Sequence, residues 1–188
     1  MMLNPVSENE LALRCARRES QAQGELYTRY AGRLYAVCFR YTGDREEAQD
    51  LMHDSMIKAM DNIGLFRYSG DGSLYAWLRR LAVNVSIDRL REKGKSLVVS
   101  LDSAIEQDTP EPQEEDVENI PVQVMLDMVA SLPPVRRTVF NMYCIDGFSH
   151  KEIAQAINIT EKGSASILAK SRAQLKEAIN DYLKRTGK

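Results

Sequence analysis

Between Ser96 and Ile120 the chain carries eight acidic residues, no basic residue, two prolines and no aromatic residue. Such a segment repels itself and has little apolar surface to bury, so it cannot form the centre of a core. It divides a chain of 188 residues into two blocks, each long enough for one small domain. The expected organisation is an N-terminal helical extension at 1–23, a first domain at 24–95, an acidic flexible linker at 96–120 and a second domain at 121–188. Counting Lys and Arg against Asp and Glu, the two blocks carry net charges of +2 and +4, and the linker −8. Two mildly basic modules on an acidic tether suit a protein that grips a polyanion at two places.

Composition narrows the class further. Apolar residues make up 44% and charged residues 28%, the balance of a folded globular protein, and glycine and proline are sparse enough to favour helices. No apolar run is long enough to span a bilayer, and Met1 to Glu10 is polar with two acids, so a cytoplasmic location is expected. Cys15, Cys38 and Cys144 are odd in number and widely spaced, and His53 and His150 stand apart from them. That pattern fits neither a disulfide framework nor a zinc site, and no metal or other cofactor is expected.

The first block reads as a series of helices. Leu26, Tyr30, Leu34, Val37, Cys38 and Tyr41 recur at three- and four-residue steps along one face. Thr42-Gly43-Asp44 breaks that helix. Asp44 can cap the next one, with Glu46 and Glu47 at the positive end of its dipole. Its inner face holds Ala48, Leu51, Met52, Met56, Ala59, Met60 and Ile63, and its outer face Asp50, Asp54 and Lys58. A loop with two aromatics and two glycines, Phe66 to Ser73, leads into a long helix ending near Glu92, expected to bury Leu74, Leu78, Leu81, Val85 and Leu90.

In the second block a helix near Val122 to Ser131 stops at Leu132-Pro133-Pro134. Val135 to Ile145 forms another, with Val139, Phe140 and Tyr143 as its apolar face, and Gly147 ends it. Ser149 and Glu152 have capping-box spacing ahead of Ile153, Ala154 and Ile157. Asn158 suits a left-handed turn, and Thr160 can cap a final helix through Ile167, Leu168, Leu175 and Ile179. A short helix, a tight turn and a longer basic helix form a helix-turn-helix pattern. The fold class expected is all-α, with two small helical domains and the helix-turn-helix in the second.

Two stretches carry a resemblance. One is GDREEAQDLMHDSMIKAMDNI followed by LFRYSGDGSLYAWLRRLAVNVSIDRLR; the other is LPPVRRTVFNMYCIDGFSHKEIAQAINIT. Together with the acidic segment between them, they resemble the extracytoplasmic-function (ECF) sigma factors of bacterial RNA polymerase, over roughly Gln23 to Lys95 and Val122 to Arg185.

The resemblance implies a role for each part. Asp50, Leu51, His53, Asp54 and Ile57 match the stretch that docks on the clamp of the polymerase largest subunit, with His53 where a glutamine is usual. The glycine loop and the helix after it match the element that opens the promoter minus-ten region. There Phe66, Tyr68 and Trp77 offer stacking surface, Ser73 lies at the loop's end, Arg79, Arg80 and Arg89 offer phosphate contacts, and Asn84 is the candidate reader of an extruded base. Phe66 and Trp77 would fit a hydrophobic core equally well.

The helix-turn-helix matches the minus-thirty-five reader, with recognition helix Glu161 to Lys176 and Lys162, Ser164, Ala165, Ser166, Lys170 and Arg172 available to DNA. Family members usually have basic residues at the positions of Ala165 and Ile167 and a hydrophobic one at that of Ser164. Ile167 is read as core rather than as a contact to a thymine methyl group. The implied partners are core RNA polymerase, through its clamp and the flap of its second-largest subunit, promoter DNA and an anti-sigma factor, with no small-molecule substrate. The acidic linker either mimics RNA in the exit path or is a solubilising tether.

Two other readings compete. A helix-turn-helix regulator acting without polymerase would not need an aromatic loop beside a basic helix. An enzyme would need a phosphate loop, a metal cluster or a nucleophile beside a histidine, and the sequence offers only the adjacent pair His53-Asp54, whose side chains diverge on a helix. No enzymatic activity is expected.

Overall fold

The computed structural model describes residues 6–93, 117 and 119–187. The expected linker therefore lies largely outside the described residues; Ile120, at its end, is buried. Every regular element among the described residues is helical. They fall into two compact units, one within Met1–Phe39 and Asp44–Asp88, the other within Arg40–Gly43 and Arg89–Lys188.

The first unit is built from α1 (Glu8–Ala16), α2 (Ser20–Thr42) up to Phe39, α3 (Arg45–Asn62), a single 3-10 turn (Ile63–Leu65) and α4 (Ser73–Lys93) up to Asp88. Local chemistry sets these boundaries. Ser7 accepts a hydrogen bond from the Glu10 amide, and Asp44 accepts one from the Glu47 amide at 2.8 Å, so each cap satisfies an amide that the helix itself leaves open. Leu11, Leu26, Leu34, Leu51, Met56, Leu74 and Leu78 are fully buried and form the core.

The buried face of α4 departs from the one expected. Leu81, Val85 and Leu90 are only half-buried, and the core side is completed by Ala82, Val83, Ser86 and Ile87. Met60 of α3 is likewise half-buried, while Ser55 is fully buried. Serine can face a core because its hydroxyl turns back onto its own helix. Ser55 donates to the Leu51 carbonyl at 2.6 Å, and Ser86 donates to that of Ala82 at 2.8 Å.

The second unit holds α5 (Val122–Ser131), α6 (Pro134–Phe140), α7 (His150–Ile157) and α8 (Glu161–Thr186). A π-helical turn, Asn141–Ile145, extends α6. Its wider winding turns Met142 fully inward and leaves Tyr143 at the surface, so Met142 takes the core place expected of Tyr143. The capping box is present: Ser149 accepts from the Glu152 amide, and the Glu152 carboxylate accepts from the Ser149 amide at 2.8 Å. Asn158 has φ 56° and ψ 53°, the left-handed turn expected of it, and Thr160 caps α8 through the Gly163 amide at 2.9 Å. Beyond Lys176, α8 continues to Thr186 and stops at Gly187. Val139, Met142, Ile153, Ile157, Ile167 and Leu168 are buried at its centre, so Ile167 is a core residue.

Candidate nucleic-acid interface

The 3-10 turn aims the chain out of α3 into the loop that precedes α4. Phe66 lies against Trp77, ring centroids 5.8 Å apart and tilted by 58°, and is itself almost wholly buried. Phe66 thus backs the ring of Trp77 rather than offering a stacking face of its own. Trp77 is half-buried, and Tyr68 is 43% exposed. The Tyr68 hydroxyl donates to Asp71 at 2.9 Å, and this bond pushes its pKa up. Gly70 and Gly72 have φ of 121° and 88°, values that a residue with a Cβ adopts only under strain. Ser73 is half-buried and accepts from the Ser69 amide at 3.3 Å.

Along α4, Ala76, Arg80, Asn84 and Asp88 recur at four-residue steps and are all exposed. This stripe begins beside the loop, and it places Arg80 and Asn84 one turn apart on the same face. Arg79 and Arg89 are half-buried to its sides, and Arg89 pairs with Glu92 at 3.7 Å.

On α3, Asp50 and Asp54 are exposed and Ile57 is 60% exposed. Leu51 is only 1% exposed and belongs to the core, so it offers no docking contact. His53 is half-buried, and its Nε2 shares a 3.1 Å hydrogen bond with the hydroxyl of Tyr27, whose ring lies nearly parallel to it. Tyr27 therefore joins this surface from α2. Helical periodicity alone does not pair residues 26 positions apart.

In the helix-turn-helix, Lys162, Ala165, Ala169 and Arg172 form the exposed stripe of α8, and Ser166 and Lys170 are half-buried at its edges. Ser164 is 0% exposed; the turn of α8 that presents Ala165 points it inward, where it shares a 2.9 Å hydrogen bond with His150 Nδ1. It is out of reach of DNA, contrary to expectation. His150 stacks on Tyr143 at 4.5 Å, and the Arg172 guanidinium lies 5.9 Å from the centre of the Tyr143 ring. Beside this stripe a groove of about 310 Å³ is lined by Met125, Met128, Val129, Phe140, Leu175 and Ile179, with Arg172 and Lys176 at its rim. Among the described residues no group of three or more metal-binding side chains occurs, and no helix is long and apolar enough to cross a membrane.

The family model for Sigma-70 region 2 matches residues 26–96, and that for Sigma-70 region 4 matches residues 123–175. The chain belongs to the ECF-type sigma-70 family. As a sigma factor it directs promoter recognition and transcription initiation by RNA polymerase and is not itself an enzyme. Among its relatives, the RNA polymerase sigma-H factor of Pseudomonas aeruginosa is 26% identical, covering 97% of this chain and 99% of that protein. The ECF sigma factor SigW of Bacillus subtilis is also 26% identical, covering 87% and 91% respectively. The fold is shared with the sigma factor RpoE of Bartonella quintana, solved with the anti-sigma factor NepR, at a TM-score of 0.50 and 20% identity over 84% of this chain and 96% of that one.

Proposed function

We propose that this sigma factor opens its promoters by stacking and reading an extruded minus-ten base with the Tyr68–Trp77 loop and Asn84, while α8 reads the minus-thirty-five element. The observation that carries this reading is the stripe of Arg80 and Asn84, which starts beside a glycine loop bearing an exposed tyrosine. Taking a base out of the stack costs a few kcal/mol, and stacking on a ring together with a hydrogen bond from a side-chain amide to the base edge offsets that cost. Arg79, Arg80 and Arg89 supply phosphate contacts, which set register rather than sequence.

In the second domain, Lys162 and Arg172 bracket two alanines on the exposed face of α8. Small residues let a helix settle deep in the major groove, and Ala165 suits contact with a thymine methyl group. Ser166 and Lys170 flank the same face. Docking on the polymerase clamp is assigned to Asp50, His53, Asp54 and Ile57, with Tyr27 beside them. Docking on the flap is assigned to the apolar groove between α5, α6 and α8. The chain acts where the polymerase does, in the cytoplasm, and an anti-sigma factor covering the docking surfaces is its expected regulator, in keeping with the NepR complex of its Bartonella relative.

The test is transcription in vitro with core polymerase and a pool of upstream DNA from the source genome, with and without this protein. Discrete transcripts that require it are the expected result and would reveal both promoter elements. Sequence-specific DNA binding without any dependent transcript would instead identify a polymerase-independent regulator. The free protein should bind DNA weakly, because each domain has a modest charge and strong binding needs both held on one scaffold.

A further inference from the structure

The helix α1 precedes the region matched by the family model. The region 2 match begins at residue 26, so α1 lies wholly outside it. Yet α1 holds both flanks of the loop between Phe66 and Gly72. It packs against the turn Ile63–Leu65, which leads into the loop. On the far side, Glu8 reaches the first turn of α4, where its Oε2 accepts the Leu74 amide at 3.0 Å. Its other oxygen, Oε1, accepts the Tyr30 hydroxyl at 2.9 Å and so ties the same carboxylate to α2. The Val6 carbonyl accepts from Arg29 at 2.9 Å, fixing the start of α1 on α2 as well.

The sequence around α4 explains why a distant group does this. The residue before the helix is Gly72, which has no side chain to cap it, and the Ser73 hydroxyl accepts from Ser69. The first amides of a helix lack partners within it and lie at the positive end of its dipole, so an anionic acceptor is favoured there. Glu8 supplies that acceptor from a position 66 residues away.

We propose that Glu8 is a positioning residue for promoter opening. It fixes the exit of the loop onto the start of α4, so that Tyr68, Trp77 and Asn84 meet an extruded base as one preformed surface. The inference rests on the role assigned above to that loop. A preformed surface captures a base without first having to be ordered, which speeds opening of duplex DNA and matters less once the strands are already apart.

The experiment compares wild type, Glu8→Ala and Glu8→Gln as holoenzymes on a promoter recovered from the transcription assay. Three quantities are read: affinity for core polymerase, rate of opening of the duplex promoter, and transcription from the same promoter carrying a pre-melted minus-ten region. Glu8→Ala should open the duplex about tenfold more slowly, the scale of one charge-assisted hydrogen bond. It should bind core polymerase as wild type does and regain most of its activity on the pre-melted template. Glu8→Gln keeps an oxygen for the Leu74 amide and should recover part of the opening rate. Unchanged opening by Glu8→Ala would overturn the proposal. So would a parallel loss of core affinity and of activity on both templates, which marks a general loss of structure. Asn84→Ala and Tyr68→Ala holoenzymes that open the same promoter at the wild-type rate would instead overturn the functional reading of the loop, and this inference with it.

Discussion

His150 Nδ1 and Ser164 Oγ lie 2.9 Å apart inside the helix-turn-helix, and the serine hydroxyl has no access to solvent. The pair ties the first residue of α7 to the first turn of α8 and so sets how the recognition helix leaves its turn. Replacing His150 by alanine leaves a buried hydroxyl without this partner, which costs about 1–3 kcal/mol. Removing Ser164 as well should restore part of that loss, because the stranded group is then gone. Hydrogen exchange of the α7 and α8 amides reads these effects; a double variant whose loss equals the sum of the separate His150→Ala and Ser164→Ala losses would show that the bond has no energetic weight.

Asn84 and Arg80 share an exposed face, yet they should fail in different ways. Asn84→Ala should slow promoter opening about tenfold and relax preference at one minus-ten position, since a lost base-edge contact is worth about 1–3 kcal/mol. Arg80→Ala should weaken binding on all sequences alike and lower the salt slope by about one unit. Both are read by opening assays on promoter variants across a salt series. An Asn84→Ala holoenzyme with wild-type opening and specificity would remove the base-reading role.

Asp50 and Asp54 stand on the solvent side of α3, whose opposite face carries the fully buried Leu51 and Met56. Reversing both to lysine should therefore leave the fold intact and weaken assembly with core polymerase by tenfold or more, on the order of two lost ion pairs at an interface. A competition assay against another sigma factor measures it. Tyr27→Phe, which removes the hydroxyl that bonds His53, should weaken assembly only slightly. Normal assembly of the double reversal would move the docking surface elsewhere.

Tyr30 is buried and hydrogen-bonded to Glu8, and burial followed by that bond pushes its phenol pKa up. A folded-state pKa above the ordinary value means that the protonated phenol is the stabilising form. Its contribution is complete below the usual tyrosine pKa of about 10 and is lost as pH climbs through the raised value. In an ultraviolet titration Tyr30 should ionise above the ordinary tyrosine range, together with loss of α1 packing. Tyr30→Phe should abolish that late step; a step unaltered by the substitution would belong to another residue.

The helix boundaries were legible because they depend on neighbours in sequence: Asp44, Ser149 and Thr160 cap the helices that follow them, and Asn158 takes the left-handed turn. The core-facing serines were not. A polar side chain is read as solvated, so the expected DNA face takes in Ser164 and the expected core leaves out Ser55, Ser86 and Ser171, whereas a hydroxyl satisfied by its own helix or by His150 can sit inside. The inward place of Ser164 follows from α8 itself, where Ile167, Leu168 and Ser171 share its buried side. The Glu8–Leu74 bond and the Tyr27–His53 pair depend on chain segments brought together by folding, which no local pattern announces.

The thiols offer a way to probe the recognition helix directly. Cys15 and Cys38 are buried in the first unit, and burial pushes the Cys15 thiol pKa up, so both should react slowly while the protein is folded. Cys144 is exposed, with its sulfur 3.7 Å from the Arg172 guanidinium on the proposed DNA face. A disulfide reagent at mildly alkaline pH should therefore modify one thiol quickly in the native protein and all three after denaturation. The fast phase should vanish in Cys144→Ser. A bulky adduct on Cys144 should then weaken minus-thirty-five binding while leaving opening of a pre-melted minus-ten template unchanged. If the adduct leaves minus-thirty-five binding intact, DNA does not approach this end of α8 and the contact assigned to Arg172 is wrong.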